Sequence, residues 1–194
     1  MTTTAETGPV LNFLLTRRSR PAKLLRAPVP DEAALRTILT AAARVPDHGK
    51  LEPWRFLVLA RPALERLGAL AGARAAAAGL DPEQTAKARA QFDASPLAVV
   101  VVASPKPSDK VPEIEQTLSA GAVCLSLLNA ALAAGWGANW LTGWAARDRG
   151  FVEEGLGLYP QEWVAGFVHI GTASEAVPDR PRPDLGRIVR WIGS

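Results

Sequence analysis

Cysteine is almost missing from this chain: Cys124 is the only one in 194 residues. A single thiol can form no internal disulfide and supplies no paired thiolates for a structural zinc site. Cys124 sits among apolar residues, where a lone cysteine is expected to be a small core residue. Histidine is nearly as scarce, with His48 and His169 far apart, so no metal site is expected. No stretch carries five or more consecutive basic residues, which argues against a long nucleic-acid footprint. Four motifs are also absent: G-x-G-x-x-G after a strand, G-x-x-x-x-G-K-[ST], H-E-x-x-H and G-x-S-x-G. The usual dinucleotide, P-loop, zincin and α/β-hydrolase readings therefore lack their warrant. Met1 to Thr7 is polar and carries no apolar signal-like run, so a cytoplasmic location is expected.

What is present points to a globular chain. The hydrophobic share is 48%, charge is mixed, and the formal net charge is +3 with a pI of about 9.4. A chain of this length is expected to form a single domain over residues 1–194 that buries its own core. One segment, Leu118 to Gly135, has no charge over 18 residues and approaches the length of a membrane span. Alanine dominates it, with Ser119, Ser126 and Asn129 interspersed. It reads as a helix buried on all sides, partly by the core and partly by a second subunit, rather than as a span.

In chain order, Thr7-Gly8-Pro9 announces a helix that runs to Arg17-Arg18-Ser19, with Pro placed where its missing N–H costs nothing. Asp31 is expected to cap a second helix bearing Leu35, Ile38, Leu39 and Ala42 at helical spacing, which Pro46 stops by disfavouring helical geometry at Val45. Phe56 to Leu59 reads as a strand apolar on both faces. Arg61–Ala78 and Pro82–Phe92 read as helices. Leu97 to Ala103 is a β-branched run without alternation, the signature of a strand buried on both faces. Gly135 ends the long helix; Ala138–Thr142 and Trp163–Gly171 are strand candidates around a short helix at Asp148–Gly155. His169, flanked by Phe167, Val168 and Ile170, reads as structural. The tail from Val177 to Pro183 is extended and basic, and Leu185 to Ile192 is expected to form a final turn or strand. Helices interspersed with at least four strands make the chain α+β or α/β, with a central sheet covered on both faces.

The residues with binding chemistry cluster at turns. Arg17, Arg18 and Ser19, then Arg44 and His48, then Arg180 and Arg182 supply guanidinium forks and a hydroxyl suited to phosphate. Trp54, Trp136, Trp140 and Trp144 could line a flat pocket. From the residues alone the ligand class is a planar molecule bearing a phosphate.

The ordered set Arg17-Arg18-Ser19, Ala42-Ala43-Arg44-Val45-Pro46-Asp47-His48, Pro53-Trp54-Arg55-Phe56, Lys110-Val111-Pro112, Glu115-Gln116, Ser119-Ala120-Gly121 and Gly166 to Thr172 resembles the FMN-dependent nitroreductase family. Within it, the chain is most similar to the short NAD(P)H nitroreductases that lack a large helical insertion. The resemblance covers about residues 10 to 172. It implies an α+β nitroreductase-like fold with a mixed or antiparallel central sheet, an intertwined homodimer, and FMN at the subunit interface. It also implies that Arg17, Arg18 and Ser19 hold the phosphate and ribityl end. Arg44 and His48 would reach the flavin across the interface, and Trp140, Leu141 and Thr142 would line it. Ala130, Ala131, Leu132, Ala133, Ala134 and Gly135 match a segment assigned to the nicotinamide cofactor. A C-terminal arginine would complete the phosphate site; alternate spacing in an extended segment sends Arg180 and Arg182 to opposite sides, and Arg182 is preferred.

The implied activity is a ping-pong oxidoreduction: a hydride passes from NAD(P)H through flavin N5 to a nitroaromatic, quinone or similar small-molecule acceptor. The cofactor carries the chemistry, so no side chain is singled out as a catalytic acid or base. The alternatives are a flavin-binding or sensing protein without turnover, and another flavin reaction of the family such as dehalogenation or dehydrogenation. One departure stands out. Where the family often has an amide before the Pro-Trp pair, this chain has Glu52, whose charge would oppose an anionic reduced ring if it faced one. No membrane or nucleic-acid partner is expected.

Overall fold

The computed structural model describes residues 8–193; the cap candidate Thr7 and the polar leader lie outside them. The elements are α1 (Pro9–Thr16), β1 (Leu25–Arg26), α2 (Glu32–Ala42), β2 (Trp54–Leu59), α3 (Arg61–Ala77), α4 (Pro82–Asp93), β3 (Ala98–Ala103), α5 (Glu113–Ala133), β4 (Gly137–Leu141), α6 (Arg149–Leu156), β5 (Trp163–Ala173) and α7 (Leu185–Ile188). Single 3₁₀ turns occupy Ala22–Leu24 and His48–Lys50.

The strands form one five-stranded sheet in the order β1-β5-β3-β2, with β4 also pairing β5. Every pairing is antiparallel. All six residues of β3 are buried, as its uninterrupted valines require. Side chains alternate across a strand, so Val99, Val101 and Ala103 enter one core and Ala98, Val100 and Val102 the other. The first core is closed by α2 and α5 through Leu35, Ile38, Val123, Leu127 and Ala131. The second is closed by α3, α4 and α6, where Phe92 meets Phe151 and Phe167 at centroid distances of 5.3 Å each. Each fully buried valine or leucine contributes about 1.5–3 kcal/mol. Between Val101 and Val102 the register with β5 shifts, leaving Ala165 as the extra residue. That bulge lets Val164 and Phe167 share one face although their spacing is odd.

Local signals explain most helix ends. Asp31 accepts from the Ala34 N–H, Asp81 from Gln84 and Asp148 from Phe151, each satisfying a donor the first turn leaves free. The long helix α5 ends at Gly135, whose φ is +86°, with the Trp136 N–H on Ala131 O and the Gly135 N–H on Leu132 O, the paired bonds of a left-handed C-terminal cap.

One expectation needs correction. The Phe56–Leu59 run is not a doubly buried strand: β2 lies at the sheet edge, and Val58 is 47% exposed. An apolar run reports hydrophobicity but not position in the sheet. The tail from Leu185 forms the single helical turn α7, the turn rather than the strand of the two expected forms.

The polar exceptions in the interior differ in how they are satisfied. Glu162, 2% exposed at its side chain, accepts two 2.7 Å bonds from Arg55 on β2 and one of 3.0 Å from the Tyr159 N–H. The bonded guanidinium is the main reason its carboxyl is held at about 2. His169 is fully buried and neither ring nitrogen has a partner. Burial pushes its pKa down from 6.5 to about 4. Cys124 lies in the first core, its thiol pushed up to about 12 by burial, and is inert as a nucleophile.

A pH dependence follows from His169. The folded chain keeps the ring neutral, while the unfolded chain takes up a proton near pH 6.5, so stability is intact above 6.5 and falls toward pH 4. The loss is about 3 kcal/mol when complete. Denaturant titrations at several pH values should show this slope in the wild type and its absence in His169→Leu; an unchanged slope would assign the acid lability elsewhere.

Candidate functional site

The first group of predicted residues follows α1. The helix ends at Thr16, and the Arg17 N–H bonds back to Phe13 O as its cap. The chain then turns, and the Arg20 N–H donates to Ala138 O at 2.8 Å, fixing the segment to the start of β4. Within this turn Arg17 Nη2 donates to Ser19 Oγ at 2.9 Å and Arg18 Nη1 to Ser19 O at 3.2 Å. Arg18 Nε also reaches Pro178 O at 3.2 Å, which ties the C-terminal tail to the turn. That brings Arg182 close. Arg17's pKa is lowered, first by burial and then by the charges of Arg182 and Arg18. Arg182 donates to Asp179 Oδ1 at 2.9 Å, so of the three neighbouring guanidinium groups only Arg182 is paired with a carboxylate among the described residues. Arg180 makes only a backbone bond to the same aspartate.

This arrangement is unfavourable as it stands. Like charges are gathered where water is partly excluded, and Arg17 Nε is buried without any partner. An unmet buried donor costs about 1–3 kcal/mol, more when charged. A multiply charged oxyanion removes both penalties at once, because it supplies several acceptor oxygens and cancels the repulsion. The donor set therefore fits a phosphate group.

The second group continues along β4, with Thr142 about 13 Å from Ala138 at strand rise. Trp140 is half-buried, and its Nε1 donates to Ala165 O at 3.2 Å, the carbonyl freed by the bulge. The indole occupies space that a side chain at Gly166 would fill. Thr142 O accepts from Gln91 Nε2 at 3.4 Å. Beyond it opens a cavity of about 460 Å³ lined by Thr142, Arg147, Trp163 and Ala165, among others. One strand thus has the arginine cluster at one end and an aromatic and apolar wall at the other.

The third group sits elsewhere. Arg44 is exposed just past α2. His48 opens the tight turn after it, where Nδ1 lies 2.7 Å from Glu115 Oε2. Ser119 Oγ donates to Pro46 O at 2.8 Å and receives Trp54 Nε1 at 3.2 Å. Glu115 lies in the first turn of α5, whereas the Arg17–Arg20 segment reaches Ala138, beyond its last turn. Glu115 and Ala133 are eighteen residues apart, about 27 Å of helix, so one chain does not bring His48 to the first group.

The nicotinamide candidates divide. Ala131 is fully buried in the first core, and Ala130 and Leu132 pack against it, while Ala133, Ala134 and Gly135 are exposed. Half-buried Ala130 still lines a cavity of about 530 Å³ together with Ala133, so Ala131 alone of the six is closed to a ligand. Glu52 is also exposed, at φ +47° with its N–H on Asp47 Oδ2. Among the described residues no three His, Cys, Asp or Glu side chains converge on a common point.

Sequence reading missed Gln91, Asp179 and the contacts of Glu115 and Ser119. Only the last two left a trace, as members of the Glu115-Gln116 and Ser119-Ala120-Gly121 motifs, one turn apart on α5.

A model of the nitroreductase family matches residues 14–172. The chain belongs to the nitroreductase family. It is 38% identical over 162 residues to "Putative NAD(P)H nitroreductase YdjA" of Escherichia coli K12, covering 84% of this chain and 87% of that protein. It is 38% identical over 167 residues to the "Putative NAD(P)H nitroreductase" of Haemophilus influenzae, covering 85% and 89%. Among solved structures, a nitroreductase-like family protein from Bacillus cereus superposes with a TM-score of 0.77 at 23% identity, covering 99% of this chain and 98% of that one. A "putative nitroreductase in complex with fmn" from Desulfovibrio desulfuricans superposes with a TM-score of 0.72 at 22% identity, covering 94% of this chain and 96% of that one. These two likenesses establish the nitroreductase fold. The family match ends before Arg182, so that residue's place beside Arg17 is known from the geometry alone.

In this nitroreductase-family chain, inorganic phosphate at about a hundred times its Kd should raise stability by about 2.7 kcal/mol. Arg17→Met should remove most of that gain. Its ligand-free stability should stay level or rise, because a buried cation beside two others is removed. Thermal melts with and without phosphate measure both, and a variant as responsive as the wild type would argue against an anion seat here.

Proposed function

We propose that the chain is an FMN-dependent NAD(P)H oxidoreductase of the nitroreductase type, working as a homodimer with flavin at the subunit interface. The observation that carries the reading is the convergence of Arg17, Arg18 and Arg182 around a buried, unpartnered Arg17 Nε. The family membership and the names of the 38% identical relatives give it a direction. The FMN bound in the Desulfovibrio relative supports the cofactor.

In this reading Arg17, Arg18, Ser19 and Arg182 hold the phosphate, and the strand from Ala138 to Thr142 carries the cofactor's length toward its ring. Trp140, Leu141 and Thr142 form the wall against which the ring is placed, and Gln91 fixes the Thr142 carbonyl. Bound FMN would supply the chemistry itself, taking a hydride at N5 from NAD(P)H and delivering it to a nitroaromatic, quinone or similar acceptor that replaces the donor. The protein's part is orientation, exclusion of water and donors near developing charge. Exposed Glu52 places no charge in the interior of this arrangement.

Two observations support the dimer. The first is the separation of His48 from the Arg17 cluster along α5. A second copy related by a two-fold axis would bring its own Arg44 and His48 toward that cluster. The second is the apolar surface left uncovered: Val10, Leu11, Leu14 and Leu15 on α1, and Ile114, Leu118 and Leu125 on α5.

Purified protein should be yellow, and anaerobic NADH or NADPH should bleach it. Bound flavin that neither donor reduces would sink the enzyme reading and leave a flavin-binding protein. Arg17→Ala should weaken FMN binding by about 1.5–3 kcal/mol, roughly ten- to a hundredfold, as read by flavin retained after dialysis.

Leu118→Glu should convert the dimer to monomer in sedimentation and lower flavin content with it. A monomeric variant that keeps full flavin would remove the interface from the site.

A further inference from the structure

We propose that Glu115 is a positioning residue for His48: it holds the neutral imidazole with its proton on Nδ1, so that Nε2 is the nitrogen offered to the bound flavin. The inference rests on the FMN reading above and adds to it a residue outside the predicted site.

The first ground is the chemistry of the contact. Glu115 Oε2 and His48 Nδ1 are 2.7 Å apart. An ionised carboxylate only accepts hydrogen bonds, so the hydrogen between them belongs to Nδ1. Nε2 then carries the free lone pair, and among the described residues it has no hydrogen-bond partner. Neutral, the ring accepts through Nε2; protonated, it donates through the same atom.

The second ground is that, among the described residues, Glu115 is the one side chain within hydrogen-bond distance of the ring. Asp47 is the neighbouring carboxylate, and its two oxygens already accept from the Leu51 and Glu52 N–H groups at 3.1 and 2.9 Å. Arg44 and Lys50, the nearby cations, have no acceptor to offer.

The third ground is the construction of the turn. Gly49, Lys50 and Glu52 all have positive φ, +73°, +52° and +47°. For Lys50 and Glu52 this is a left-handed backbone costing about 1–3 kcal/mol each, which persists only where surroundings over-determine it. Asp47 holds the turn from within, and α5 holds it from outside. Glu115 and Ser119 stand one helical turn apart on the same face, one gripping the His48 ring and the other the Pro46 carbonyl. Trp54 closes the chain by donating to Ser119. The ring borders a cavity of about 340 Å³ lined also by Pro46, Leu118 and Ala122. A strained turn with a single imidazole pinned at one nitrogen beside open space is the construction of a ligand contact. It matches the way a ligating histidine is oriented through its other nitrogen.

The experiment uses flavin-free protein labelled with ¹⁵N-histidine. The chain has two histidines, and His169→Leu assigns the signals. At mildly alkaline pH the wild-type His48 should appear as the Nδ1–H tautomer. In Glu115→Ala it should shift to the Nε2–H form that free imidazole favours in water. The affinity for added FMN, followed by quenching of its fluorescence, should fall about tenfold. Glu115→Gln keeps an acceptor oxygen and should retain the Nδ1–H tautomer and most of the affinity. A wild-type His48 in the Nε2–H form would overturn the proposal. So would a Glu115→Ala protein that switches tautomer yet binds FMN as tightly as before, which leaves the flavin reading standing. No FMN binding by the wild type would overturn both.

Discussion

A strand with no polar side chain on either face has to be covered twice. β3, Ala98–Ala103, is buried at every position, and the fold follows from meeting that demand. One cover is the α2–α5 pair, the other is α3 with α4 and α6. Pairing with β2 on one side and β5 on the other leaves no backbone group of β3 to water. The functional groups are then distributed by the covers. α5 runs along one face and hands the chain directly to β4 on the far side of β5, so residues at its two ends cannot share a site within one chain.

The second constraint is electrostatic. Half of the charged pairs among the described residues are neighbours on one helix, such as Arg36–Glu32 and Lys87–Glu83, and contribute little. The buried Arg55–Glu162 pair is of another kind: it is bidentate, and it fastens the edge strand β2 to the segment entering β5. The Arg17 cluster reverses that pattern. Glu162 has more donors than its charge requires, whereas Arg17 has fewer acceptors than its charge requires. Satisfied charge is the mark of architecture; unsatisfied, partly buried charge is the mark of a ligand's place.

How much of this was legible in the sequence depended on range. Asp31 as a cap, Pro46 as a helix stop, Gly135 as a helix end and β3 as a doubly buried strand were all written in adjacent residues, and the structure agrees with each. The edge position of β2 was not, because Phe56 to Leu59 has the same local composition as a central strand. The two-residue strand β1 is too short to leave a pattern. For the site, the arginines could be named as candidates one by one. Their convergence came only from the family resemblance, since no local spacing links Arg17 to Arg182 and the Arg18–Pro178 tether is what brings them together. The contact between His48 and Glu115 spans 67 positions and has no local signature. Spacing arguments reach one turn of helix or one step of strand, and a site assembled from four segments lies beyond them.

The composition of α5 supplies the last step. By length and hydropathy it could cross a membrane, yet it lies across the sheet with eight residues buried, among them Val123, Cys124, Leu127 and Leu128. Burial against the sheet explains only one side of such a helix. Ile114, Leu118 and Leu125 stay exposed, and a helix covering a sheet while facing water has no need of them. Their presence is explained if the second side is also covered, by the proposed second copy. The same contact would then be adjacent to Glu115 and Ser119, which clamp the His48 turn from that helix. A residue such as Leu118, lining the cavity beside His48, would serve assembly and ligand binding together. Association and flavin binding would be coupled in one helix face rather than arranged as separate functions.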